Sequence, residues 1–186
     1  LPRGVFDGSR SFAPDEYWTL FEFPELCTVV AGLNSTVKET HEKHVGYLGE
    51  LQLEWFADQL RRYENEGWLR IGCLHHNPRE QQVAGEKLED FDDLKRILGP
   101  RLNILLHGHT HYGAIDVLAQ DVPIFATGSA GVTGDERGDE VPNQYQLLQV
   151  WPDRVRQFAR AFLPDQKQWA LCPRVCKHGP SVEHEY

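Results

Sequence analysis

Two short apolar runs that both stop in histidine constrain this chain more than any other feature. They are "WLRIGCLHHNP", Trp68 to Pro78, and "RLNILLHGHTH", Arg101 to His111. Runs this short, bounded by turn residues, read as buried strands. Between them, Leu88 to Leu98 reads as a helix, with acids at its start, Lys95-Arg96 near its end and Gly99-Pro100 to stop it. A strand, a covering helix and a second strand make a parallel pair. The C-terminal ends of parallel strands lie along one sheet edge, where ligands gather in open α/β sheets.

The same alternation extends upstream. "CTVVAGLNS", Cys27 to Ser35, reads as another buried strand, and "GELQLEWFADQLRRYE", Gly49 to Glu64, as an amphipathic helix. Downstream, "GAIDVL", "PIFATGSA", "YQLLQVW" and "RVRQFARAF" read as four short strands separated by turn signals. The order predicts an α/β sandwich in which helices cover one sheet and an antiparallel part closes the second. Leu1 to Leu26 is aromatic-rich and reads as irregular, and residues 163–186 form a Pro- and Cys-containing tail after a 1–162 domain.

Bulk properties exclude some classes. A chain of 186 residues holds one domain with a sizeable core. No stretch approaches the roughly 20 apolar residues of a membrane helix, and the start lacks a secretory layout. Four scattered cysteines make a reducing cytosol the default, so a cytoplasmic location is expected. A net charge of −9 argues against strong non-specific nucleic-acid binding, although a local basic groove stays open. There is no Met, so the chain as given can begin inside a longer protein.

Neutral imidazole offers one lone pair to a metal while its other nitrogen is oriented by a neighbour. In extended backbone, residues two apart share a face. His109 and His111 are thus expected to project together, with Gly108 allowing close approach, and His75-His76 to end a neighbouring strand at the same edge.

These residues carry a resemblance. "GHTH", Gly108 to His111, resembles the Gly-His-x-His motif of the calcineurin-like metallophosphoesterases, and "HHNP", His75 to Pro78, resembles their His-x-Pro motif. "AGLNS", "GYLGELQLEWFADQL" and "IFATGSAGV" resemble further family segments in the right order, so the likeness runs from about Val29 to Phe162. It implies the family's two-sheet α/β/β/α sandwich and a centre of two divalent metal ions (Mn, Fe or Zn). It also implies a metal-dependent hydrolase that opens a phosphomono- or phosphodiester by attack of a metal-bound hydroxide. His76 and His109 would bind one ion and His111 the other. His75, Asn77 and Arg79 are candidates to contact the phosphoester, guanidinium being well matched to phosphate.

The family's earlier motifs, Asp-x-His, Gly-Asp and Gly-Asn-His, would precede Val29, and none occurs there. The bridging aspartate, the asparagine ligand and the histidine that assists the leaving group are therefore unassigned and expected upstream of Leu1. The resemblance then implies that N-terminal strands are missing, leaving an unpaired sheet edge beside Val29, and that an upstream segment or a partner chain completes the site. The alternative is a non-catalytic binding or assembly module on the same fold. "HEKH", His41 to His44, reads as a solvated loop, Asn34 as a turn residue supporting the site, and Cys172, Cys176 and His178 as an ordinary tail rather than a zinc site.

Overall fold

The structure is a computed structural model and describes residues 18–42, 44–78, 87–118, 121–136, 141–177 and 179–185. The first sheet contains β1 (Thr19–Phe23), β2 (Thr28–Gly32), β3 (Leu69–Leu74), β4 (Ile104–His107), β5 (Gly113–Val117) and β6 (Pro123–Thr127). Its spatial order is β1-β2-β3-β4-β6-β5. The four central strands run parallel, and β1 and β5 are antiparallel edges. The second sheet is antiparallel: β7 (Gln144–Val150) on one side of β8 (Arg154–Leu163), with β9 (Gln168–Leu171) and β10 (Val182–Glu185) sharing the other. The expected two-sheet mixed α/β sandwich is the fold observed.

Helix α1 (Glu50–Asn65) buries Leu53, Phe56, Leu60 and Tyr63, three or four residues apart, against the first sheet. Each such side chain contributes about 1.5–3 kcal/mol on burial. Its start is capped from a distance, because the Asp90 carboxylate accepts the N–H of Leu48 at 3.1 Å and of Gly49 at 2.7 Å. At its end Gly67 takes φ +74°, and Trp68 N donates to Tyr63 O at 2.8 Å, turning the chain into β3.

The second expected helix ends at Leu98 as its sequence pattern suggests but starts three residues later, at Phe91. A helical turn (Phe91–Asp93) widens into a π turn (Leu94–Leu98). Leu88 and Glu89 are unavailable to it: Leu88 N donates to Asn77 O and Glu89 N to Gly46 O. The Gly46–Leu88 bridge holds this stretch extended, so the helical turns begin only after it.

The edge beside β2 is also not open as expected, since β1, drawn from the stretch read as irregular, pairs with it from Thr19↔Gly32 to Phe23↔Thr28. Glu22 of β1 accepts a hydrogen bond from Tyr63 of α1. Between the sheets lie Ile104, Phe125 and Val155. Residues beyond Leu163 are woven into the second sheet as β9 and β10. Among the described residues no helix is long and apolar enough to cross a membrane.

Candidate functional site

Strands β2, β3 and β4 end at the same edge, and the chain segments leaving them meet there. Leu74 pairs with His107, so His75-His76 and Gly108-His109 leave adjacent parallel strands side by side. Gly108 N donates to His75 O at 3.1 Å, extending the ladder by one bond. The rings of His75, His76 and His109 then cluster, with centroid separations of 5.1, 4.8 and 4.7 Å. His109 Nδ1 and His75 Nε2 share a hydrogen bond of 3.0 Å.

His76 is the best-defined member, with no exposed surface. Ser35, just beyond β2, holds it twice: its Oγ accepts the His76 backbone N–H at 3.2 Å and lies 2.9 Å from Nδ1. With Nδ1–H donating to Ser35, Nε2 presents a bare lone pair to the cluster, and that atom makes no hydrogen bond. Burial, then the nearby His109 and His75, push the His76 pKa down to about 4, against the pull of Glu39. The imidazole is therefore neutral near pH 7, the form a cation needs. Glu39 Oε2 stands 3.9 Å from Nε2. Two donors on one ion with bonds near 2.0–2.1 Å sit at most about 4 Å apart, so this pair is compatible with a shared ion.

Neighbours fix this arrangement. Gly46 packs on His76 so closely that a Cβ there would lie 2.6 Å from the His76 Cβ. Asn34 is a turn residue, as expected: its Oδ1 accepts from Thr36 N and Thr36 Oγ1. Buried Gln52 of α1 clamps that turn, donating to Asn34 O and Leu48 O and accepting Asn34 N.

The second motif departs from the extended geometry that the alternation suggested. Strand β4 stops at His107, and His109 and His111 both adopt left-handed backbone, with φ 68° and 54°. Each such residue costs about 1–3 kcal/mol and persists only where its surroundings enforce it. Residues two apart in a tight turn do not share a face by the strand rule, so nothing in the backbone pairs His111 with His109 as expected. His107, the first histidine of the run, is buried with Nδ1 near Gly108 O, and burial lowers its pKa to about 4. Asn77 is buried beside His76; Arg79 and His178 lie outside the described residues. His44 of "HEKH" pairs with Glu39 at 3.3 Å in an exposed loop.

His76 Nε2 and Glu39 Oε2 are two potential donors within reach of one ion. Among the described residues, no group of three or more His, Cys, Asp or Glu side chains is arranged to hold an ion. The sequence offered no signal for Glu39 beside the cluster; Ser35, Gly46 and Gln52 stand in the segments "AGLNS" and "GYLGELQLEWFADQL" that carry the resemblance, but their contacts to His76 and Asn34 were not legible there.

No protein-family model matches this chain, and no curated protein matches it. Solved structures do. A dimetal phosphatase from Danio rerio superposes with a TM-score of 0.61 at 12% identity, covering 91% of this chain and 60% of that one. GAP50, the anchor in the inner membrane complex of Plasmodium, gives a TM-score of 0.50 at 10% identity over 83% of this chain and 52% of that one. The fold is accordingly the two-sheet sandwich of the metallophosphoesterase type. The chain spans little more than half the length of these two proteins.

Proposed function

We propose that this chain carries part of the site of a metal-dependent phosphoesterase acting on a phosphomono- or phosphodiester. The observation that carries the reading is the convergence of His75, His76 and His109 at the C-terminal edge of the parallel strands, with His76 Nε2 buried, neutral and unbonded. His76 and His109 would hold one ion and His111 a second; His75, Asn77 and Arg79 would face the phosphoester. Divalent ions bound there would supply charge stabilisation and an acidified water.

This chain's own part is positional. Ser35 fixes the His76 tautomer, Gly46 and the β3 end fix its place, and the left-handed turn at His109 fixes the second motif. The Glu39 carboxylate is the acid beside His76, and its pKa is lowered chiefly by the His44 hydrogen bond, so it stays ionised. Further carboxylate ligands would come from outside the described residues or from a partner chain.

A second reading, a binding or assembly module on this fold, draws on the hydrogen bond between His75 and His109, which spends ring nitrogens on each other, and on the incomplete donor set. The test is turnover of bis-nitrophenyl phosphate by the full-length protein with Mn added, read alongside bound metal. His76→Ala is expected to lower turnover by about a hundredfold or more, the scale of losing a group that stabilises transition-state charge, and to lower metal content. A folded wild type with neither metal nor turnover would favour the assembly module.

A further inference from the structure

Three glutamines of the second sheet form a polar network that reaches into the first. Gln144 and Gln157 are buried, at 2% and 0% exposure, and Gln146 is half-buried. Amides in such a place are costly unless they are hydrogen-bonded. Gln146 Nε2 donates to Ala126 O of β6 at 2.6 Å, and Gln157 Nε2 donates to Gln146 Oε1 at 2.6 Å. Gln144 Oε1 accepts the backbone N–H of Gly113, the first residue of β5, at 3.1 Å.

Backbone dictates which way each amide points. Ala126 O can only accept, so the Gln146 amide nitrogen faces it and the Gln146 oxygen is left for Gln157. The Gly113 N–H can only donate, so the Gln144 oxygen faces it. Gln144 Nε2 and Gln157 Oε1 then have no hydrogen-bond partner among the described residues. The network leaves two atoms orphaned, yet it holds two backbone points of the first sheet.

Those two points bracket the second histidine motif. Ala126 is the ladder partner of His107, the last residue of β4. Gly113 lies just past His111. The turn between them carries the left-handed backbone of His109 and His111, which persists only where its surroundings enforce it. At its entry Gly108 N donates to His75 O. At its exit stands Gln144, whose own N–H donates to Ser129 O at 2.8 Å. The fit there is tight: a Cβ on Gly113 would lie 2.5 Å from Gln144 Oε1, and one on Gly128 would lie 3.0 Å from Gln144 Cβ.

We propose that Gln144 is a positioning residue for the second histidine motif, so that the second sheet sets where His109 and His111 stand. The inference rests on the phosphoesterase reading for its purpose, but the positioning belongs to the metal-free chain. Gln146 acts at the other end of the turn through Ala126, and Gln157 braces Gln146 one bond further from the histidines. The site is then shared between the sheets. The first supplies the imidazoles, and the second fixes the turn that carries two of them through one amide oxygen.

The test reads the imidazole nitrogen NMR shifts of the full-length, metal-free protein, which report tautomer and ring surroundings. Gln144→Met keeps the side-chain length and loses the acceptor; it should displace the His109 and His111 signals while His184, on β10, keeps its own. Gln157→Leu should lower the unfolding temperature yet leave the His109 and His111 signals in place, which separates positioning from lost stability. Gln144→Glu, buried as the neutral acid, still offers Gly113 N an oxygen and should retain the wild-type signals; it carries the test should Gln144→Met not fold. Signals unmoved in folded Gln144→Met, moved equally by Gln157→Leu, or displaced in Gln144→Glu would overturn the role. In calorimetric titration with Mn, Gln144→Met should bind about tenfold more weakly than wild type or worse, the scale of losing a residue that orients a ligand. Equal Mn affinity in the two proteins would also overturn it. A wild type that binds no Mn, with imidazole signals that respond to Gln144→Met as expected, would support the positioning and remove the phosphoesterase reading by itself.

Discussion

The first sheet is buried on both faces and the second on one, and their sequences differ accordingly. In β4, Ile104 and Leu106 face the second sheet while Leu105 faces α1, so "ILL" is apolar without a break. In β8 only alternate residues, Val155, Gln157, Ala159 and Ala161, are buried. Among the described residues no helix lies on the outer face of the second sheet. Leu147 is 61% exposed there, Trp169 41% and Leu171 39%. The outer aromatics cover one another instead, Tyr145 and Phe162 packing on Trp169 at 4.8 and 5.4 Å. A continuous apolar run marks a strand covered on two sides, and alternation marks one covered on a single side.

The sharpest way to break that contrast is a pair of aromatic truncations read by denaturant unfolding. Phe56→Ala, beneath α1, should cost about 3–5 kcal/mol. Trp169→Ala, on the outer face, should cost no more than about 1.5 kcal/mol, the scale of its ring pairs. Comparable losses would mean that the outer face is covered by something, and the two sheets would cease to differ.

A middle-sized effect is expected at Gln52, where the covered face supports the site. Gln52→Ala leaves three backbone groups without their partner, a loss of about 1–3 kcal/mol. It should also loosen the Asn34–Ser35 turn, visible as faster amide exchange at Ser35. Unchanged exchange there would show that the turn stands without the clamp.

The smallest effect concerns His184, on the inner face of β10 against Phe125 at 5.5 Å. Burial lowers its pKa below the usual 6.5. The unfolded chain therefore binds the proton more readily, and the stability linked to a neutral His184 is full above about pH 6.5 and declines as pH falls below it. Comparing wild type with His184→Leu between pH 7.5 and 5.5 isolates this term, and the variant should lose less stability on acidification. Parallel pH curves would place β10 outside the cooperative unit.

The parts legible in the sequence are those whose pattern is set locally. β2, β3, β4 and α1 could be read because one strand or one helix face carries its own apolar period. β1 could not: "TLFEF" is an edge strand defined by its partner β2 and by the Glu22–Tyr63 bond. β10 is "VEHE", whose register is set by Val155, Arg156 and Gln157 across the ladder. The shortened helix after Leu88 depended on a distant pairing with Gly46. At the site, the meeting of His75, His76 and His109 followed from strand ends at one edge. The turn at His109 and His111 did not, because left-handed backbone at a non-glycine residue leaves no mark in composition.

The contact between Gly46 and His76 has a bearing on how related chains can vary. Thirty residues apart, the two positions occupy one volume, since a Cβ at 46 would stand 2.6 Å from that of His76. Neither can drift alone. A lineage that kept the histidine would be held to glycine at 46. A lineage that gained a side chain at 46 would have to give up imidazole at 76 or shift the β3 end that carries it. Paired change at these positions would therefore be a record, written in descent, of whether the histidine cluster is still in use.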